Sequence, residues 1–209
     1  MKGHKWFAAT FDFMNRVMGT EPKFLAKHRP YIVGEADGRV LEIGAGTGAS
    51  FPYYKKAEKV IATEPDPYML ERARRRLQKL GLAHIELAQH AAEELPFEDH
   101  SFDHVVSSMV FCSVREPRRC LAEVKRVLKP GGSFRFIEHV RFEGGVRGQL
   151  QDIVTPVWRW FGAGCHPNRR TLDAIMEAGF RMEDLQRYMM GSLIPVIVGL
   201  ARPAPEIKP

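Results

Sequence analysis

The segment Arg39-Val-Leu-Glu-Ile runs directly into Gly44-Ala-Gly46-Thr-Gly48. No other feature of this chain restricts its fold so strongly. A short β-branched, apolar run stopped by a turn reads as a buried strand. Glycines at alternate positions open torsions closed to other residues and let the backbone approach a ligand closely. In an open parallel sheet, ligands sit outside the carboxyl ends of the strands, where the strand order reverses. The turn therefore marks the expected site. Its spacing leaves the ligand open, because Gly44, Gly46 and Ala49 also satisfy the loose G-x-G-x-x-G/A pattern of dinucleotide binders.

Downstream, residues 60–63 read as a second strand, and 68–80 as a helix with Met69, Leu70, Ala73, Leu77 and Leu80 at helical spacing, closed by Gly81. Residues 84–87, 102–107 and 133–140 read as strands three to five. A helix over 117–128 lies between the last two, stopped by Pro130-Gly131-Gly132. Residues 148–161 form an apolar segment with Leu150, Ile153, Val154, Val157, Trp158 and Phe161. Another helix follows at 171–177, and residues 193–201 are expected to close the sheet. Strands alternating with helices mean an α/β fold with a doubly wound, mostly parallel sheet. The expected division is a helical lid at 1–34, a ligand-binding core at 35–140, a substrate-lid insertion at 141–170, the rest of the sheet at 171–203 and a frayed tail at 204–209.

With 209 residues, 44% hydrophobic and 27% charged, the chain is sized for one soluble domain. The longest apolar run, at 195–201, falls far short of the ~20 residues of a membrane span. The start, Met-Lys-Gly-His-Lys-Trp, lacks the apolar core and cleavage site of a signal peptide. Cys112, Cys120 and Cys165 are an odd number without metal-ligand spacing, so a reduced, cytoplasmic chain with no metal is expected. Lys and Arg number 31 against 25 Asp and Glu, an excess of +6. The cations cluster separately at Arg72–Lys79 and Arg115–Arg119, on helix faces that solvent accounts for, so nucleic acid is not an expected partner. Near the N-terminus, Phe7, Phe11, Met14 and Met18 recur at helical spacing beside Trp6, Phe13 and Val17. That face suits a lid over the site, with Phe11 toward the substrate. Flanked by Lys2, Lys5, Arg16 and Lys23, it also suits peripheral contact with a membrane surface.

Glu64 ends the second strand, at the position where a carboxylate can accept bonds from both ribose hydroxyls of an adenosine. At this point the chain resembles a known family. Leu41-Glu42-Ile43-Gly44-Ala45-Gly46-Thr47-Gly48 is similar to the E/D-x-G-x-G-x-G motif of class I S-adenosylmethionine-dependent methyltransferases. The stretches Thr63 to Leu70, Ala92-Glu93-Glu94-Leu95-Pro96-Phe97 with Ser101-Phe102-Asp103, and Leu128-Lys129-Pro130-Gly131-Gly132 resemble its later motifs in order. The resemblance implies a seven-stranded Rossmann-like sheet and S-adenosylmethionine as cofactor. It assigns Glu42 to the ammonium of the methionine part, and Gly44, Ala45, Gly46 and Gly48 to backbone lining. Glu64 falls to the ribose and Pro65 beside the adenine, with Ala91, Ala92 and Glu93 along its edge and Ser107 nearby. Many members have Asp where Ala91 stands, so the adenine amino contact is lost or moves to Glu93.

The N/D-P-P-Y/F/W motif of nucleic-acid amino methyltransferases is missing after strand four, where the chain reads Ser107-Ser108-Met109-Val110-Phe111-Cys112. That segment, with Pro117-Arg118, Glu138-His139-Val140, Pro156-Val157-Trp158 and Gly162-Ala163-Gly164-Cys165, is similar to the methyltransferase-like protein 7 family. The family's vertebrate members carry an N-terminal membrane anchor, which is not expected here. This resemblance implies a small apolar acceptor, preferentially a thiol, and bacterial relatives add lipid and quinone acceptors. Met109, Phe111, Trp158 and Phe161 are the expected substrate contacts. A thiol ionises near pH 8.5 and needs little help, whereas a hydroxyl needs a base. His139 and Glu138 are the candidate acid–base pair, of which at most one faces the substrate because strand neighbours point apart. Three readings stand: a thiol methyltransferase, an enzyme acting on a lipid headgroup or quinone, and a non-catalytic or dehydrogenase-type cofactor-binding module. The oligomeric state is left open.

Overall fold

The computed structural model describes residues 20–161, 164–191 and 194–205. The N-terminal apolar segment, with Phe11, and the side chain of Phe161 lie outside the described residues. In chain order the elements are α1 (Thr20–Ile32), β1 (Gly38–Ile43), a 3₁₀ turn at Phe51–Tyr53, β2 (Ala57–Thr63), α2 (Pro67–Leu80), β3 (Ile85–Ala88), β4 (Phe102–Ser108), α3 (Pro117–Val127), β5 (Leu128–His139), α4 (Gly145–Phe161), α5 (Thr171–Glu177), β6 (Phe180–Met190) and β7 (Ile194–Pro203). They form one seven-stranded sheet in the order β3-β2-β1-β4-β5-β7-β6. The pairs joining β1 to β5 are parallel, while β7 runs antiparallel to both β5 and β6. The strand order reverses between β1 and β4, so the switch point falls at the glycine turn.

Local chemistry accounts for the helices. Asp66 caps α2 by accepting the N–H groups of Tyr68 and Met69 at 2.8 and 3.2 Å. Gly81, left-handed at φ 64, closes it by donating to Leu77 O. On α3, Cys120, Leu121, Val124 and Val127 form the buried stripe. At the end of α1 the carbonyls of Tyr31 and Ile32 accept from the Arg135 guanidinium at 2.7 and 2.8 Å, which satisfies groups a helix terminus leaves open. Leu25, Ile32 and Val33 join the same buried cluster as Val40, Val106 and Val198, so α1 is part of the core.

Two expectations are corrected. The segment at 193–201 does not close the sheet: β7 lies inside it, and the edge strand is β6. The reading passed over β6 because Phe180–Met190 is a half-exposed edge whose polar residues break a clean alternation. No helix of the described residues is long and apolar enough to cross a membrane.

Candidate active site

The turn after β1 is built on left-handed glycines, of which Gly44 is pressed too closely to carry a side chain. Gly44 is left-handed at φ +61, and a Cβ placed there would meet Val110 Cγ2 at 2.7 Å. Gly46 is left-handed too, at φ +57, but a Cβ there would meet nothing within 4 Å. So Gly44 is glycine because the turn after β4 presses on it, whereas Gly46 borders open space a ligand can fill. The Gly46 N–H donates to Glu64 Oε2 at 2.8 Å, and the Asp66 N–H donates to Glu64 Oε1 at 2.9 Å. These bonds fix the carboxylate at the end of β2 and leave lone pairs on both oxygens for a diol. Burial raises the Glu64 pKa, and the two backbone donors oppose that shift.

Glu42 lies at the end of β1, only 2% exposed. Burial pushes its carboxyl up to about 7, against the hydroxyls of Ser50 and Tyr54, which face it and favour the charged form. Neither hydroxyl gives Oε2 a bond of good geometry, so this buried oxygen lacks a hydrogen-bond partner. A buried, unsatisfied carboxylate oxygen beside an open glycine turn suits a cationic ligand group. The residues present therefore fit S-adenosylmethionine: Glu42 toward the ammonium, the Gly46 turn along the chain, Glu64 toward the ribose.

The next layer centres on Glu138, which is fully buried. Its Oε1 accepts from Ser107 Oγ at 2.8 Å and from the Val110 N–H at 3.1 Å, and its Oε2 accepts from the Phe111 N–H at 3.0 Å. Burial again drives the carboxyl up to about 7. Three donors on one carboxylate make Glu138 a clamp on the turn that presses on Gly44. The Ser107 hydroxyl is therefore buried against Glu138. Phe111 is fully buried too, its ring 5.8 Å from Phe134 within the core cluster. Met109 takes a left-handed backbone at φ 60, and its N–H donates to Ile137 O at 2.8 Å. That torsion is strained for a non-glycine residue, and the half-buried side chain packs against the core cluster of Val106 and Ile137.

Ala92 is buried within the core cluster that also holds Ile61 and Val110, and Ala91 and Pro65 are half-buried. Glu93 Oε1 accepts the Arg115 N–H at 2.9 Å, so any adenine contact falls to its other oxygen. Trp158 is 40% exposed on α4, beside Ile153 at 72% and Val157 at 62%. The described large apolar residues of this helix are thus exposed, while Gly148 and Thr155 are buried.

His139 ends β5 with 7% exposure, its Nδ1 4.0 Å from Cys165 Sγ. The Cys165 thiol, then burial, holds the Cys112 thiol well above the usual range. Sequence reasoning weighed these three residues singly, because they come from three separate elements. Beside the end of β5 a cavity of about 470 Å³ opens among Val140, Phe142, Leu172, Tyr188, Pro195 and Ile197, with Arg170 also lining it.

The family model described as a methyltransferase domain matches residues 41–136. Over 142 residues the chain is 35% identical to the phosphatidylethanolamine N-methyltransferase of Cereibacter sphaeroides, covering 68% of this chain and 68% of that protein. The chain belongs to the class I S-adenosylmethionine-dependent methyltransferases. This methyltransferase is also 37% identical over 156 residues to the thiol S-methyltransferase TMT1B of Rattus norvegicus, covering 70% of this chain. It spans 62% of that relative's length. Among solved structures, a putative methyltransferase from Bacillus halodurans superposes with a TM-score of 0.72 at 20% identity, covering 87% of this chain and 99% of that one.

Proposed function

We propose that this methyltransferase moves the methyl group of S-adenosylmethionine to the sulfur of a small apolar thiol. The observation that carries the reading is the state of Glu138. The one carboxylate at the carboxyl end of β5 is buried and held by three donors, which leaves that edge without a free carboxylate base. A thiol tolerates this, because a fraction is thiolate at neutral pH. A hydroxyl acceptor would depend on His139 as its base, and that ring is buried with Nδ1 4.0 Å from Cys165 Sγ.

When bound, the cofactor supplies a methyl on a sulfonium, which an attacking thiolate takes in line, leaving a neutral thioether. The protein's part is alignment and exclusion of water. Glu42 holds the cationic end, Glu64 the ribose, and the turn at 109–112, pressed onto Gly44 and clamped by Glu138, sets the acceptor side. The likeness to a thiol S-methyltransferase supports the same choice. In this reading residues 141–170 cover the acceptor side through the 164–170 loop, which is docked on the turn after β4. The localisation that accompanies it is cytoplasmic.

One observation favours a second reading. The solvent-facing apolar row Val146, Leu150, Ile153, Val157 and Trp160 on α4 suits contact with a lipid surface, where an aminolipid headgroup would be methylated. Labelled S-adenosylmethionine offered to a mixture of alkyl thiols, phosphatidylethanolamine vesicles and a quinol tests both. Label in thioether supports the first reading. Label in lipid or quinol with none in thioether rejects it.

A further inference from the structure

The turn after β4, the last residue of β5 and the loop after α4 bring Cys112, His139 and Cys165 together. Their ligand-type atoms all lie within 4.8 Å of one another, and all three residues are buried. We infer that Cys112, His139 and Cys165 form a binding site for a thiophilic divalent cation, Zn²⁺, which ties the loop after α4 to the acceptor side of the site.

Donor chemistry selects the ion. Two thiols and an imidazole are the ligands zinc takes in tetrahedral sites, at about 2.3 Å for sulfur and 2.0 Å for nitrogen. Those bonds place donor atoms roughly 3.3–3.8 Å apart. The Cys165 Sγ to His139 Nδ1 separation of 4.0 Å needs only a small contraction. Hard cations such as Ca²⁺ and Mg²⁺ prefer oxygen and are excluded by the same donor set.

The backbone around the cluster is already fastened. The His166 N–H donates to Cys112 O at 2.7 Å, and Arg169 Nη1 donates to Phe111 O at 2.6 Å, docking the 164–170 loop on the turn after β4. Thr171 Oγ1 donates to His139 O at 3.3 Å, which joins the start of α5 to the end of β5. All three ligands thus stand on segments bonded to one another before any ion arrives, as a preorganised site requires. Cys112 sits two positions beyond Val110, the residue that presses on Gly44, so the site adjoins the cofactor turn.

Charge balances as well. Binding Zn²⁺ releases two thiol protons to solvent, and the dication with two thiolates and a neutral imidazole is neutral overall. Three protein donors leave one tetrahedral position to an exogenous ligand. Cys120 is buried on α3 and is not one of the three, which supplies an internal control.

The test uses the full chain, reduced and stripped with a chelator, titrated with Co²⁺ as a spectroscopic stand-in and then with Zn²⁺. One Co²⁺ per chain is expected, with a near-ultraviolet thiolate-to-cobalt band that Zn²⁺ removes. Cys112→Ala and Cys165→Ala should each weaken Co²⁺ binding more than about tenfold, with Cys120→Ala unchanged. Calorimetric titration of each variant with S-adenosylmethionine shows whether its core is folded. X-ray absorption of the Zn²⁺-loaded wild type needs no variant and should report two sulfurs and one imidazole nitrogen. Absence of the band, its survival in the Cys112→Ala/Cys165→Ala double variant, or an all-oxygen and nitrogen shell would overturn the site. So would a Cys112–Cys165 disulfide in a chain that binds no metal in either redox state. None of these readouts depends on methyl transfer.

Discussion

Val110 Cγ2 stands 2.7 Å from the point a Cβ on Gly44 would occupy, so the cofactor turn and the acceptor-side turn are one packed unit. The contact explains why Gly44 must be glycine on two independent grounds, its left-handed torsion and the absence of room. Gly44→Ala should cost about 2–4 kcal/mol, combining the left-handed penalty with overpacking. Urea denaturation reads the loss. A variant within ~0.5 kcal/mol of wild type would mean the two turns do not press on each other.

Glu138 holds the same unit from below. Replacing it by Gln puts an amide N–H₂ against one of the donors of Ser107, Val110 or Phe111, at about 1–3 kcal/mol. Its pH signature has a definite sign. The folded carboxyl is raised from 4.5 to about 7, so the folded state binds the proton more tightly than the unfolded one. The stability this contributes is complete below the unfolded value and is lost as pH rises through about 7. Melts at pH 5, 6, 7 and 8 should show wild-type stability falling over that window, less steeply in Glu138→Gln. Equal slopes would remove the assignment.

Glu42 carries a second pH dependence, this one in ligand binding. Burial raises its carboxyl to about 7 against the opposing charge of Arg29, and a bound ammonium adds to the groups that favour the charged form. Cofactor affinity should therefore climb between pH 6 and 8, by up to about tenfold per unit below the folded value. Glu42→Gln should bind more weakly and lose the slope. Calorimetry in two buffers of different ionisation enthalpy also tests the expected proton release at pH 7. No release, with the slope intact in Glu42→Gln, would place the ammonium elsewhere.

Glu64→Ala should weaken S-adenosylmethionine binding by about 1–3 kcal/mol through lost hydrogen bonds to the ribose. Because Glu64 also accepts the Gly46 N–H, the variant loosens the turn as well as the sugar contact. Adenosine alone should lose affinity in parallel with the whole cofactor. An adenosine affinity equal to wild type would detach Glu64 from the ribose.

What the sequence disclosed and what it hid divide along a physical line. The strand-turn from Arg39 to Gly48, Glu64 at the end of β2 and the Gly81 cap are local devices, legible because neighbouring residues build them. β6 escaped because an edge strand lacks the buried alternation that marks a central one. Ser107 ends and Phe111 follows the fourth strand read from the sequence, yet strand position does not say which side chains a buried carboxylate or an aromatic cluster will claim. Met109's left-handed backbone carries no residue-type signal at all. The meeting of Cys112, His139 and Cys165 depends on parallel strands and a returning loop, and no spacing in the chain announces it. The outward apolar face of α4 also ran against expectation, because periodicity shows that a helix has an apolar side without showing what that side meets.

The central claim is methyl transfer to sulfur, and a single turnover tests it most directly. The full chain in excess over S-adenosylmethionine carrying a deuterated methyl group is mixed with one short alkyl thiol, and products are weighed by mass spectrometry. One deuteromethyl thioether should form for each S-adenosylhomocysteine released, faster as pH approaches the thiol's own pKa. S-adenosylhomocysteine released without thioether, or cofactor left intact under these conditions while an amine or quinol acceptor consumes it, would contradict the account.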